Sequence, residues 1–205
     1  MWILYAFGSA FFAGLTAVLA KCGIEHTNSH LATALRTIVV LIFSWIMVGI
    51  VGSFDTIHTI THKTFLFLIL SGISTGASWL CYFKALQLGN INKVTAIDKT
   101  SVVLTIILSF LFFKESVTVY KIIGMIILTT GTYLMVEKKE DNKQINNAWL
   151  LYAVLSVIFA SLTTILGKIG ITNIESNLGT AIRTSVVLIM SWIVVFVTHS
   201  QMNMK

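Results

Sequence analysis

The most constraining feature of the sequence is an internal repeat. Residues 2–48 recur at residues 149–195, in order and without a gap, and more than half of the paired positions are identical. Hydrophobic composition alone does not explain the match, because polar and aromatic residues recur as well: Tyr5 with Tyr152, Thr16 with Thr163, Lys21 with Lys168, Arg36 with Arg183, Ser44 with Ser191 and Trp45 with Trp192. A repeat in a strongly apolar chain is typical of membrane proteins built from two related halves.

Composition also places the chain in the membrane class. Hydrophobic residues make up 56% of the sequence and charged residues only 11%, whereas about 25% of an average soluble domain is charged. The apolar residues fall into separate runs of about 20, the length that crosses a hydrocarbon core about 30 Å thick. Proline is absent from the sequence, so each run is predicted to be an uninterrupted helix that satisfies its own backbone hydrogen bonds. The seven predicted helices lie near Ile3–Lys21, Leu31–Val51, Thr64–Phe83, Val94–Phe113, Val117–Val136, Ala148–Gly167 and Leu178–Val197.

A strongly polar stretch, residues 138–147, separates the fifth run from the sixth. Residues 1–137 are therefore predicted to form a five-helix repeat, and residues 148–205 a partial second repeat of two helices. Because five is odd, the second repeat must enter the bilayer with the opposite orientation, so the predicted fold is an all-α inverted-repeat bundle of about seven transmembrane helices. The distribution of basic residues between the loops predicts a cytoplasmic linker and an N-terminus on the outer side.

Several functional classes are disfavoured. Two cysteines are too few for a disulfide framework or a metal cluster. The histidine pairs His26/His30 and His58/His62 lack a third obvious ligand, so neither a metal nor another cofactor is expected. The formal charge of +6 comes from residues scattered between apolar runs, where they meet lipid headgroups, and no nucleic-acid partner is expected. The sequence has no phosphate loop and no Ser-His-Asp order, so we do not expect an enzyme.

Short motifs of the first repeat resemble the EamA family of the drug/metabolite transporter superfamily. Residues 78–89, Ser-Trp-Leu-Cys-Tyr-Phe-Lys-Ala-Leu-Gln-Leu-Gly, are similar to the family's aromatic stretch followed by Ala-Leu-x-x-Gly. Residues 113–115, Phe-Lys-Glu, resemble the turn after the fourth helix, and Gly124 and Gly131 resemble glycines of the fifth. The chain departs from the family in two ways: residues 97–101 lack the usual proline, and the second repeat is truncated.

This resemblance implies a multi-pass protein of a bacterial cell membrane that moves a small organic solute by alternating access, most often as an exporter. Its expected partners are that solute and the lipid bilayer. Two other functions remain open. The incomplete second repeat is compatible with a membrane interaction or regulatory protein that does not transport, and relatives of similar fold handle lipid carriers, which leaves a lipid-linked sugar flippase component.

The fourth run carries two charged residues, Asp98 and Lys99, within it or just at its mouth. An ionised side chain at the bilayer centre costs about 2.5–3.5 kcal/mol on insertion scales, so both side chains should face protein or water. Asp98 continues a polar stripe with Thr95, Ser101 and Thr105, which is predicted to line a cavity and to bind a proton or a cationic substrate, while Lys99 attracts an anion. Alternatively, both residues cap and snorkel at the interface, about one turn from the predicted helix start.

Two arginines and two aromatic residues complete the candidate site. Arg36 and Arg183 lie near the starts of equivalent helices, each within Thr-Ala-x-Arg-Thr. Because arginine keeps its proton, it needs carboxylate, carbonyl or substrate partners at membrane depth, unless it snorkels and only sets the helix depth. Trp79 and Tyr82, at the end of the third run, are predicted to form either an aromatic wall for a substrate or interfacial anchors.

The third run also carries Gly72 and Gly76, a Gly-x-x-x-Gly pair that predicts close helix packing. Because the second repeat is incomplete, this glycine face and the polar stripe from Thr95 to Thr105 are expected to be left open. A second copy of the chain, as in an antiparallel homodimer, is the expected occupant of these surfaces.

Overall fold

The computed structural model describes most of the chain. The described residues are 2–24, 28–114, 116, 118–136, 148–171 and 174–198. Within these ranges the polypeptide is helical apart from short connections. The predicted linker at residues 138–147, the turn residue Glu115 and the histidine at position 26 lie outside them.

All seven predicted runs are confirmed as helices. They are α1 (Trp2–Ile24), α2 (Ser29–Val51), α3 (His62–Leu88), α4 (Ile91–Phe113), α5 (Val119–Met135), α6 (Ala148–Gly170) and α7 (Ser176–Val197). A 3₁₀ helix, Ser53–Thr59, joins α2 to α3. Six of the helices are long and apolar enough to cross a membrane, and α5 is a shorter apolar helix of 17 residues, at the lower end of the range of about 17–25 residues for a spanning helix.

The helix starts follow the internal repeat. The side chain of Asn28 caps α2 by accepting a hydrogen bond from the His30 N–H at 2.9 Å. At the paired position in the second repeat, Glu175 caps α7 and accepts from the N–H groups of Asn177 at 2.7 Å and Leu178 at 3.2 Å. Both side chains satisfy N–H groups that lack a partner within the helix. The two halves therefore share their local geometry even where the residue type differs.

The pairs α1–α2 and α6–α7 run in opposite directions. The Lys21 ammonium, near the end of α1, donates to the Gly89 carbonyl at 3.0 Å, and Trp149, at the start of α6, lies against the same glycine. At the other end of the bundle, the Ser53 hydroxyl, just after α2, donates to the carboxylate of Glu175, just before α7, at 2.8 Å. The inverted arrangement that followed from an odd helix count is confirmed.

Helix α6 packs in the groove between α3 and α4. The Ser71 hydroxyl of α3 donates to the Thr163 carbonyl at 2.9 Å, and the Ser161 hydroxyl of α6 donates to the Ser101 carbonyl of α4 at 3.1 Å. Small hydroxyl side chains let the backbones approach closely and hydrogen bond across the interface. The polar stripe of α4 is therefore covered at Ser101 by the chain's own α6, not left open as expected.

Helix α7 covers the glycine face of α3. A Cβ atom added to Gly72 would lie 2.7 Å from the Val186 Cβ, and one added to Gly76 would lie 2.8 Å from the Met190 sulfur. The predicted close packing at these glycines is confirmed. The expectation that this face is open to a second copy is wrong, because the two helices of the second repeat are sufficient to cover it.

Helices α1 and α5 lie at the periphery. Within the described part of the chain, no residue of α5 is buried, and its packing partner is α4. Most side chains of α1 are exposed, and Ile24 at its end is buried in a cluster with Phe83, Leu86 and Val94. The well-packed centre of the bundle therefore consists of α2, α3, α4, α6 and α7, with α1 attached mainly at one end.

Candidate functional site

The two principal charged residues of the candidate site lie deeper in their helices than the apolar runs predicted. Helix α4 begins at Ile91, not near Val94, so Asp98 lies seven residues inside it, about 10 Å along the helix axis. Arg36 lies equally far inside α2, which begins at Ser29. The premise that Asp98 sits one turn from the helix start is wrong, because the polar first turn of α4, capped by Asn90, was assigned to a loop.

Five of the eight predicted site residues line a single cavity of about 240 Å³. These five residues are Arg36, Trp79, Tyr82, Asp98 and Lys99. Small residues of α1, among them Ala13 and Ala17, form the opposite wall, and Ala160 of α6 completes it. The cavity thus lies where α1 to α4 of the first repeat meet the first helix of the second repeat.

Arg36 contacts two aromatic rings of α3. Its guanidinium carbon lies 4.6 Å from the centroid of Trp79 and 5.5 Å from that of Phe83. The faces of aromatic rings attract cations, and the interaction strengthens where water is excluded. The planar guanidinium can stack on a ring and still direct its edge N–H groups elsewhere, which lysine cannot do. Arg36 can therefore present hydrogen-bond donors to a solute in the cavity while its positive charge is stabilised.

Asp98 lines the cavity and, through Ser156, connects three helices. The Ser156 hydroxyl of α6 donates to its Oδ1 at 3.1 Å, and that hydroxyl lies 3.3 Å from the Ser78 hydroxyl of α3. Ser78 also lines the cavity. Among the described residues, the carboxylate accepts a hydrogen bond from Ser156, and its remaining acceptor positions can take a proton or a cationic group.

The cavity carries both signs of charge. Lys99, the neighbour of Asp98, is exposed and lies at the rim, whereas Arg36 and Asp98 are half-buried. The arrangement can recognise a solute through an anionic or polar group at Arg36 and a cationic or hydrogen-donating group at Asp98. Among the residues that the structure describes, no three His, Cys, Asp or Glu side chains come together to hold a metal ion.

Comparison with known proteins agrees with this architecture. Residues 1–137, the whole of the first repeat, match the EamA-like transporter family. The chain belongs to this family. It is a multi-pass membrane transporter of the drug/metabolite type, as the motifs of α3 to α5 predicted.

The similar proteins differ in length. An uncharacterized transporter in the cobO 3' region of a Sinorhizobium species is 41% identical over 134 residues, which cover 65% of this chain and 95% of that protein. The uncharacterized transporter YxxF of Bacillus subtilis (strain 168) is 26% identical over 55% of this chain, but the match spans only 37% of its own length. No solved structure matches the chain.

The other three predicted site residues of this EamA protein do not line the cavity. The carbonyl of Ser101 accepts a hydrogen bond from α6, and Thr105 lies one further turn along α4. Arg183 lies against the second repeat's own α6, where its Nη1 is 3.4 Å from the position of a Cβ added to Gly167. A role of these residues in binding substrate stays a prediction.

Three cavity features were not identified from the sequence. The contact of Phe83 with Arg36 follows from its position four residues after Trp79, on the same face of α3. Ser156 gave no comparable signal, because its contacts with Asp98 and Ser78 join positions far apart in the chain. An apolar groove of about 380 Å³ continues from the cavity between α1 and α2, and it too is lined by Arg36 and Phe83.

Proposed function

We propose that this EamA protein exports a small organic solute across a bacterial plasma membrane by alternating access. One observation carries the proposal: a single cavity brings together Arg36, Asp98 and the aromatic residues Trp79 and Tyr82. Ionisable side chains within membrane-spanning helices mark substrate or ion pathways. The Sinorhizobium and Bacillus subtilis relatives, both named as transporters, support a bacterial cell membrane as the location.

The size and chemistry of the cavity suit a solute of metabolite size. Its volume of about 240 Å³ lies just below the range of about 300–1,000 Å³ for sites that bind drug-sized ligands. Its walls combine aromatic faces with a guanidinium and a carboxylate. The two charged groups orient a ligand more than they add affinity. A small solute with polar groups at two ends would satisfy both charges, and the aromatic rings would contact the part between them.

Asp98 is proposed to couple solute binding to movement of the second repeat. Its carboxylate accepts a hydrogen bond from Ser156 of α6 at 3.1 Å. A proton or a cationic group that binds the same carboxylate competes with this hydrogen bond. Occupation of the cavity would therefore loosen the contact between α4 and α6. A solute can shift a transporter between two conformations only if it interacts differently with each of them, and this competition would supply such a difference.

Transport by reconstituted protein tests the proposal. Proteoliposomes loaded with a metabolite extract are assayed by mass spectrometry for solutes that the protein exchanges, and the rate is then followed across a pH series. Asp98→Asn should lower the rate by about tenfold or more, since a hydrogen bond to a charged group is worth about 1.5–3 kcal/mol. It should also flatten the pH dependence, because Asn does not titrate.

Two variants of α4 serve as controls. Asp98→Glu keeps the charge and should retain part of the activity, while Ile107→Val changes an exposed residue of α4 outside the cavity and should leave the rate unchanged. All variants must reach the membrane in equal amounts. An unchanged rate and pH profile for Asp98→Asn would refute the role of this carboxylate in transport.

A further inference from the structure

Oxygen atoms of Ser78, Asp98 and Ser156 form a cluster where α3, α4 and α6 meet. The Ser156 hydroxyl donates to the Asp98 Oδ1 at 3.1 Å, and the Ser78 hydroxyl donates to the Ser156 carbonyl at 3.1 Å. The two hydroxyl oxygens lie 3.3 Å apart. We refer to the Asp98 Oδ1, the two hydroxyl oxygens and the Ser156 carbonyl oxygen as the three-helix oxygen cluster.

The hydrogen bonds of this cluster leave two acceptors close together. A serine hydroxyl has one proton and two lone pairs. The carboxylate takes the proton of Ser156 and the carbonyl takes that of Ser78, so neither hydroxyl has a proton for the other. Ser156 is 0% exposed and Ser78 5%, which keeps both away from bulk water. Two neighbouring acceptors in such a place are stabilised when a cation binds them both.

The spacing of these oxygens suits an ion of the size of Na⁺. Hard cations bind oxygen ligands, and Na⁺ is close in size to Ca²⁺, whose oxygens lie at about 2.3–2.6 Å, so that neighbouring ligands are about 3.3–3.7 Å apart. The measured separations of 3.1 and 3.3 Å come close to this range. K⁺ is larger and needs ligands that lie further apart.

The charge of the cluster also favours a monovalent ion. Asp98 is the one carboxylate among the described residues that line the cavity, and Arg36 and Lys99 line the same cavity. A single carboxylate balances the charge of Na⁺. A divalent ion would leave excess positive charge next to two cationic side chains, which is costly where water is scarce.

We propose that the three-helix oxygen cluster binds a Na⁺ ion, which reaches it from the cavity. Asp98 and Ser78 both line that cavity, so the ion can enter without passing through a packed interface. The ligands come from three helices that contact one another directly. Binding can be measured without a solute, so the site does not depend on the proposed function.

The site extends the proposed function by naming an ion that competes with the solute. Na⁺ coordinates the hydroxyl oxygens as well as the carboxylate, so it holds α3, α4 and α6 together. A cationic group of a solute needs the same carboxylate. The ion and the solute therefore occupy Asp98 in turn, which is the arrangement that an exchanger of Na⁺ for solute requires. This last step rests on the proposed function.

Binding of radioactive Na⁺ to the purified protein in detergent tests the proposal. Bound ion is measured by scintillation proximity, with choline chloride to keep the ionic strength constant. Binding should saturate in the millimolar range, and unlabelled NaCl should displace the ion. KCl should compete about tenfold less well, because K⁺ does not fit the spacing of the ligands.

Serine variants of α3 and α6 show whether the cluster is the site. Ser78→Ala and Ser156→Ala each remove a hydroxyl ligand and should lower binding at a subsaturating concentration by about tenfold, while Asp98→Asn should abolish it. Ser161→Ala is the matched control. It removes an equally buried hydroxyl of α6 that also donates to α4, at 3.1 Å to the Ser101 carbonyl, but lies outside the cluster. Its binding should equal that of the natural protein.

Thermal unfolding provides a second measurement and reports whether each variant is folded. A ligand that binds only the folded state stabilises it. NaCl should therefore raise the unfolding temperature of the natural and Ser161→Ala proteins above the value in choline chloride, and should not do so for Asp98→Asn. Should Ser156→Ala fail to unfold cooperatively, Ser78→Ala decides. No saturable binding by the folded natural protein, equal displacement by K⁺ and Na⁺, or the same loss of binding in Ser161→Ala as in the cluster variants would overturn the proposal.

Discussion

At the residue scale, Arg36 and Arg183 form a natural comparison. They are paired positions of the repeat, and each lies seven residues inside its helix. Only Arg36 lines the cavity, where Trp79 and Phe83 hold its guanidinium. Arg183 is therefore a matched control for the effect of the cavity on Arg36.

Replacing these two arginines separates solute recognition from helix anchoring. We expect Arg36→Gln to lower the initial transport rate in proteoliposomes by about tenfold or more, because the cavity loses a charged hydrogen-bond donor. Arg183→Gln should have a much smaller effect. Arg36→Lys should restore the rate only in part, since an ammonium group does not stack on the rings as a guanidinium does. Equal losses at Arg36 and Arg183 would argue for a common structural role.

At the scale of elements, the contact between α3 and α7 depends on the absence of side-chain atoms. A Cβ at Gly72 would lie 2.7 Å from the Cβ of Val186 and 2.9 Å from the Arg183 carbonyl oxygen. Neither a branched residue nor a backbone oxygen moves easily. A Cβ at Gly124 of α5, in contrast, would meet no atom within 4 Å.

We therefore expect Gly72→Ala to destabilise the bundle by about 1–3 kcal/mol, the usual cost of overpacking. Gly124→Ala should be neutral or slightly stabilising, because alanine favours a helix over glycine by about 1 kcal/mol. Thermal unfolding of the purified proteins in a mild detergent measures both. A Gly72→Ala protein as stable as the Gly124→Ala protein would mean that α7 does not pack on α3 in the detergent-solubilised protein.

Glu175 links the start of α7 to the connection after α2. Partial desolvation alone would raise the pKa of its carboxyl group. Hydrogen bonds from the Ser53 hydroxyl, from the backbone N–H groups of Leu178 and Asn177 and from the Asn177 side chain outweigh that effect and lower the pKa below its ordinary range. The ionised form is therefore favoured in the folded protein.

A lowered pKa makes the stabilisation by Glu175 sensitive to acid. It is fully present above the pKa of an unfolded glutamate and is lost as the pH falls through the lower pKa of the folded state. We expect the unfolding temperature of the natural protein to fall between about pH 6 and pH 3. Glu175→Gln should be less stable at neutral pH and should lose less on acidification. Parallel pH profiles for the two proteins would show that the carboxylate does not contribute.

At the scale of the whole molecule, the inverted arrangement makes a direct prediction about topology. The end of α2 and the start of α7 lie at the same end of the bundle, where Ser53 hydrogen bonds to Glu175. The end of α7 must then lie on the other side. Reporter fusions after Gly52 and after Thr198 should report opposite sides of the membrane. Reporters on the same side would contradict the inverted arrangement.

The helices and their order were predictable because lipid requires each segment to satisfy its own backbone hydrogen bonds. This requirement is local, so apolar runs and an ungapped repeat identified seven helices and their inversion. The ends of the helices were harder to predict from the sequence. The polar first turn of α4 has no hydrophobic signal, and only the Asn90 cap places its start at Ile91. Because α4 starts earlier than the apolar run predicted, Asp98 lies in the interior of the helix and not at its margin.

Which helix faces meet was decided by the tertiary structure. The sequence alone supported an aromatic wall near Trp79 and a polar stripe around Asp98, but not the contact of Asp98 with Ser156 or the covering of Gly72 by α7. Ser9 and Ser156 make the reason clear, since they are the same residue at paired positions and yet one is exposed and the other buried. Burial depends on whether an α3–α4 pair packs against the helix, and that long-range contact is not encoded in the local pattern that forms the helix.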